Sequence, residues 1–129
     1  MQKNISNKPF ASHQFKKSLG QNFISDKNLL SAIVQDANIS STDLVVEIGA
    51  GAGSLSQIIA TKCKKVVSFE VDGSLLETLT EIEQNNKNLK VVFKDFLKVE
   101  KDELLNYFGS VAKNANIKVI ANIPYYITT

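Results

Sequence analysis

The string Asn122-Ile123-Pro124-Tyr125-Tyr126 carries residue types suited to one kind of chemistry. An exocyclic amine on an aromatic base is a poor nucleophile, because its lone pair is delocalised into the ring. Acceptors for both N–H protons, the Asn122 side-chain oxygen and the Pro124 backbone carbonyl, would localise that pair and aim it at a methyl group. Proline lacks an N–H and has a fixed φ, so Pro124 suits a rigid presenting turn. Tyr125 then offers a stacking face for a base taken out of its helix. The transfer would be an in-line displacement relying on positioning and electrostatics, with the proton leaving after attack. Taken alone, a Pro-Tyr-Tyr run after a strand is an ordinary turn with buried rings; the upstream residues change its meaning.

Those residues begin with Glu47-Ile48-Gly49-Ala50-Gly51-Ala52-Gly53. Gly49 and Gly51 permit a tight turn and close approach of a ligand to the backbone, and a helix follows. The dinucleotide fingerprint G-x-G-x-x-G requires a third glycine at position 54, which is Ser54; the glycine falls one place early. The charge of Glu47 suits a cation such as a sulfonium, which tilts the ligand toward S-adenosylmethionine. Glu70, 19 residues beyond Gly51, is placed to accept both ribose hydroxyl protons, a role shared by nicotinamide and methyl-donor sites. Asp95 can accept from an adenine amine, with Phe96 or Leu97 covering the ring. One acidic strand end is usually a helix cap. Polar residues at four successive strand ends, Glu47, Glu70, Asp95 and Asn122, point instead to a ligand at the carboxyl edge of a parallel sheet.

The elements needed to hold those residues can be read from periodicity. Asp26 can cap an amphipathic helix through Leu29, Leu30, Ile33, Val34 and Ala37, ending near Asn38. Leu44 to Ile48 is a short β-branched run, predicted to be a strand buried on both faces. A helix through Leu55, Ile58, Ile59 and Ala60 follows the glycine turn. Further strands are predicted at 65–70, 89–94 and 117–121. Between them lie a helix marked by Leu75, Leu76, Leu79 and Ile82 and a short one around Leu104, Leu105 and Phe108, and Gly109 opens a polar connection. Alternating strand and helix imply an α/β fold, a parallel sheet with right-handed crossovers and helices on both faces.

Composition is that of an ordinary globular domain: 129 residues, 43% hydrophobic, 22% charged and a formal charge of +2. The charge is uneven. Residues 1–25 carry four lysines and no acid, whereas the remainder has 11 lysines against 13 acids. Such an arm, with Phe10, His13 and Phe15 interleaved, is either a solvated tail or a strip for a phosphate backbone. Every basic side chain but His13 is lysine, so phosphate contacts would be sequence-independent. No membrane span or secretory segment is expected, nor a metal constellation, and Cys63 is the one cysteine; a cytoplasmic address follows. Cys63 reads as a half-buried small residue, with no histidine patterned beside it. The chain ends eight residues after its fourth predicted strand. We therefore expect a basic arm over 1–25 and, over 26–129, the first half of a larger domain, whose exposed sheet edge invites self-association.

With these motifs in order, the chain resembles the ribosomal RNA adenine dimethyltransferases of the class I S-adenosylmethionine-dependent, Rossmann-like fold. The likeness runs from Phe15 to the end, through Lys17-Ser18-Leu19-Gly20-Gln21-Asn22-Phe23-Ile24, Glu47 to Gly51, Glu70, Asp95 and Asn122 to Tyr125. The resemblance implies that Asn22 and Ile24 close over the donor, that Gly49, Glu70 and Asp95 touch its methionine, ribose and adenine, and that Asn122 touches donor and target alike. It implies dimethylation at N6 of two adjacent adenosines in small-subunit ribosomal RNA, late in subunit assembly, with the small subunit as partner. The stretch from Lys17 to Phe23 is more like small-subunit enzymes than the macrolide-resistance relatives, which modify large-subunit RNA. Tyr126 departs from the family, which commonly has Asn or another polar residue there, and this touches fine substrate contacts. The family's remaining strands and small C-terminal helical domain lie beyond this sequence. Alternative readings are a non-catalytic RNA-binding assembly factor and a nicotinamide-dependent oxidoreductase, the latter disfavoured by Ser54 and Glu47.

Overall fold

The structure, a computed structural model, describes residues 27–112 and 116–121. Helix α1 (Lys27–Asp36) buries Leu30 and Val34, one turn apart, and leaves its other face in water. It stops where Asn38 turns to φ 53°, a left-handed conformation that asparagine tolerates better than most residues. The cap expected from Asp26 lies outside the described residues.

Strand β1 (Leu44–Ile48) is followed by the glycine turn and helix α2 (Ser54–Ala60). Strand β2 (Lys65–Glu70), helix α3 (Leu76–Asn85), strand β3 (Leu89–Phe93), helix α4 (Lys101–Phe108) and strand β4 (Ile117–Ala121) complete the described chain. All strand pairs are parallel and their order is β3-β2-β1-β4. The chain thus winds outward from β1 to β3 and then returns to the far side of β1. That reversal makes the carboxyl ends of β1 and β4 a topological switch point, where open α/β sheets bind ligands.

Side chains alternate across the sheet, so each strand feeds two cores. On one face Val45, Val66, Leu89 and Ile120 pack with Leu30, Val34, Leu55 and Ile59 of α1 and α2, and Ile82 of α3 lies against them. On the other, Leu44, Val46, Val67 and Phe69 meet Phe108 and Leu104 of α4. The first four residues of β1 are buried, as the almost wholly apolar run predicts. No helix among the described residues is long and apolar enough to cross a membrane.

Three local readings change. Leu75 and Leu76 are not core positions of a helix: Asp72 opens a 3-10 turn, Gly73–Leu75, by accepting from the Ser74 N–H (3.0 Å) and hydroxyl (2.7 Å). Helix α3 therefore starts at Leu76, which is 55% exposed. Strand β3 ends at Phe93, where the Lys94 N–H turns back to the Val92 carbonyl at 3.1 Å and its side chain pairs with Glu103 at 2.9 Å. The connection after Gly109 is a 3-10 turn, Gly109–Ala112, packed on the second core through Val111 and Ala112.

Candidate functional site

The carboxyl ends of β1 and β2 are tied together by the glycine turn. The Gly49 and Ala50 N–H groups both donate to the Phe69 carbonyl, at 2.8 and 3.1 Å, folding the turn over the end of β2. The next residue completes the clasp: Glu70 Oε1 accepts from the Gly51 N–H at 2.7 Å, and Oε2 from the Val71 and Asp72 N–H groups at 3.1 and 3.0 Å. Three backbone donors fix the orientation of this largely buried carboxylate, while each oxygen keeps further acceptor capacity.

The two glycines after Gly49 serve different ends. A Cβ on Gly51 would meet nothing within 4 Å, so the turn is open on that side. A Cβ on Gly53 would lie 2.4 Å from Ile82 Cδ1, and its φ is 89°. The glycine that falls one place early for a dinucleotide fingerprint is thus the one that lets α3 approach the start of α2. Its neighbours in space, Leu79 and Ile82, stand far away in sequence.

Glu47 does not face the open turn. It lies one residue inside β1, fully buried, where strand alternation points it toward α2 with Ser68 beside it in register. Oε1 accepts from the Ser68 hydroxyl at 2.6 Å and from the Ser56 hydroxyl of α2. Glu47 therefore anchors α2 and the turn to the sheet, and the expectation that its charge fronts a sulfonium is corrected. Ser56 and Ser68, absent from the sequence reading, are its partners. A buried acid in an apolar strand was the available signal, since such a group requires donors.

Asp95, at the tip of β3, caps a 3-10 turn, Phe96–Lys98, through Oδ1 to the Leu97 N–H at 3.0 Å. Its other oxygen takes no hydrogen bond among the described residues. Phe96 turns inward and packs edge-on against Phe69, with centroids 5.2 Å apart, so core packing claims it. Leu97 is left 88% exposed, and Val71, directly after Glu70, is 71% exposed. Adjacent strand tips thus each pair an acid with an uncovered aliphatic side chain. Nearby, the Tyr107 hydroxyl (2.6 Å) and then Lys94 hold Glu103 below the usual carboxylate range, and Glu103 in turn raises the Tyr107 phenol.

Of the anticipated site residues, the structure gathers Gly49 and Glu70 on neighbouring tips and puts Asp95 on the next strand. Asn22, Ile24, Asn122, Pro124 and Tyr125 lie outside the described residues. Strand β4 ends level with β1, Ala121 pairing with Ile48. Cys63 is buried at the far end of the sheet, and burial pushes its thiol up to about 12, which suits packing and not nucleophilic attack. Among the described residues no group of three metal-ligating side chains exists.

A parallel sheet in the order β3-β2-β1-β4, with a glycine turn closed by an acid at the end of β2, is Rossmann-like, and the solved structures it matches make it a class I S-adenosylmethionine-dependent methyltransferase fold. Solved structures agree: a dimethyladenosine transferase from Plasmodium falciparum matches with TM-score 0.59 and 27% identity over 80% of this chain and 34% of its own. The 23S rRNA methyltransferase ErmE matches with TM-score 0.55 and 32% identity over 58% of this chain and 31% of its own. The model of the Ribosomal RNA adenine dimethylase family matches residues 12–129, and the chain belongs to that family. Ribosomal RNA small subunit methyltransferase A of Leuconostoc mesenteroides is 44% identical over 88% of this chain, and that of Bacillus cereus 45% over 89%. The chain spans 38% and 39% of those relatives' lengths.

Proposed function

We propose that this chain is the donor-binding part of an S-adenosylmethionine-dependent enzyme that dimethylates N6 of adenosines in small-subunit ribosomal RNA. The observation that carries the reading is the clasp of Glu70 on the Gly51 N–H beside a turn that is open where a Cβ would stand. A nucleoside fits what surrounds it. Glu70 would accept from ribose hydroxyls, Asp95 from the adenine amine, and Val71 and Leu97 would supply apolar contact for the ring. Gly49 would allow the methionine portion to approach the backbone, with Asn22 and Ile24 closing from the N-terminal side.

When bound, the donor supplies an electrophilic methyl group. The chain's own part is positioning: Asn122 and the Pro124 carbonyl would accept the amine protons of the target, and Tyr125 would stack on its base. The lysines of residues 1–25 would form a basic arm preceding this first half of the domain. The names of the relatives at 44–45% identity favour a small-subunit target over a large-subunit one, and a cytoplasmic setting suits such a partner.

The test is methyl transfer from labelled S-adenosylmethionine to unmethylated small ribosomal subunits, expected to fall by about a hundredfold or more in Asn122→Ala if its acceptor acts in the transition state. An unchanged rate would refute the proposed role of Asn122. Calorimetry separates donor classes: S-adenosylmethionine should bind and NAD should not, and Glu70→Gln should weaken the donor by roughly tenfold or more, since hydrogen bonds to a charged group are lost.

A further inference from the structure

We infer that the amino-terminal end of the sheet, opposite the donor site, is a second contact surface for the phosphate backbone of structured RNA. This rests on the RNA-directed reading above and extends it to a region with no role in that chemistry. Two loops form the surface. The α2–β2 connection and the start of β2 carry Lys62, Lys64 and Lys65; the α3–β3 connection and β3 carry Lys87 and Lys90. Residues 61–65 and 86–90 contain no acid.

The loops are fixed to one another. Asn88 Nδ2 donates to the carbonyls of Ala60 (2.8 Å) and Cys63 (3.2 Å), and the Val66 N–H donates to the Asn88 carbonyl (2.9 Å). Lys65 and Lys90 share a sheet face and converge on one residue: Lys65 Nζ donates to the Tyr107 carbonyl at 2.9 Å, and Lys90 Nζ lies 5.7 Å from the Tyr107 ring centroid. Lys62, Lys64 and Lys87 stand free in solvent on this stapled base. Of the carboxylates at this end, Asp43 is buried and ion-paired with Lys118 at 2.8 Å and Glu83 accepts from the Val91 N–H at 2.8 Å, while Asp36, at the end of α1, is exposed.

The opposite end has the reverse character. Among the described residues after the strand tips, Glu70, Asp72, Asp95, Glu100 and Asp102 outnumber Lys98 and Lys101, Lys94 being paired with Glu103. Among the described residues that end carries an excess of carboxylates, which suits a sulfonium-bearing nucleoside. A polyanion is attracted to the lysine end, about 20 Å away along six-residue β2. A partner that presents one base at the tips and phosphates at this distance is a polynucleotide, not a single nucleotide, and the structured RNA of the proposed function supplies both.

The experiment compares the protein with a variant carrying Lys62→Gln, Lys64→Gln and Lys87→Gln, in binding to a long RNA hairpin across a salt titration. A control carrying Ser31→Glu, Gln57→Glu and Thr78→Glu, all exposed on helices, has the same net charge. We expect the lysine variant to bind roughly tenfold more weakly, with a log–log salt slope shallower by about two, and the control to change far less. Equal affinity and slope in variant and parent overturn the inference. So does an equal loss in the control, which would make the effect one of net charge, or binding to phosphatidylserine vesicles but not to the hairpin. S-adenosylmethionine binding, measured alongside, should match in all three proteins and so verify folding. Its absence throughout would count against the donor site, while the RNA measurements would still decide the lysine surface.

Discussion

Strands β3 and β4 bound the described sheet on its two sides and are finished in different ways. On the β3 side helix α3 lies over the sheet, and its Glu83 carboxylate accepts from the Val91 N–H at 2.8 Å, sealing a backbone donor that another strand could use. On the β4 side no strand pairs beyond β4 among the described residues, and one face of the strand is uncovered: Ile117 and Val119 are 37% and 51% exposed, beside buried Leu44 and Val46. What fixes β4 is an ion pair at its start. Lys118 Nζ meets Asp43 Oδ2 at 2.8 Å and donates to the Asn38 carbonyl at 2.5 Å, joining the strand to the turn between α1 and β1. One edge is held by a packed helix, the other by the ladder and a charge latch, so the two should fail differently.

The packed side should fail hardest. Gly53→Val strains a positive φ and puts a Cβ where Ile82 Cδ1 stands, so the Ile82 side chain must shift. We expect a loss of about 3 kcal/mol in urea denaturation, and a loss below about 1 kcal/mol would show that α3 docks with slack. The latch comes next. Asp43→Asn removes the charge opposite a partly buried lysine and should cost about 2 kcal/mol at neutral pH.

The pH dependence of that latch has a definite sign. The Lys118 hydrogen bond, and then the Ser40 N–H, hold the Asp43 carboxyl below the ordinary range. Because the folded value is depressed, the stabilisation is complete above the unfolded carboxylate value of about 4 and is lost as pH falls through the folded one. Parent and Asp43→Asn should therefore converge in acid; a gap constant down to low pH would mean that Lys118 contributes nothing. The smallest effects concern the edges themselves. Glu83→Ala should cost about 1 kcal/mol. Val119→Asp should leave stability within about 0.5 kcal/mol yet reduce self-association in sedimentation, and equal association in both variants would exclude the β4 face as its route.

Much of this architecture is legible in the chain. The runs at Leu44 to Ile48, Lys65 to Glu70 and Ile117 to Ala121 are bounded in the structure as their β-branched content indicates. The open glycine turn and the acids at the tips of β2 and β3 also stand where spacing places them. One misreading and one choice left open share a cause. Leu76 is apolar and in helical register with Leu79, but the Asx turn at Asp72 shifts where the helix begins. Phe96 and Leu97 are adjacent apolar residues after one acid, and which enters the core depends on Phe69, a residue of the neighbouring strand.

The sequence by itself determined the kinds of element, their order and which strand ends carry carboxylates, because those follow from local periodicity and turn chemistry. Only the tertiary structure decided what each carboxylate does. Glu47 and Glu70 are both acids at the ends of buried strands and share one face of the sheet, but Glu47 stands level with Ser68, two residues short of Glu70. One points inward to serine hydroxyls from a neighbouring strand and helix, and the other closes the glycine turn. The donors that make that difference, Ser56, Ser68 and the Gly51 N–H, lie 9 to 21 residues away along the chain and meet their acceptors only once the strands have paired.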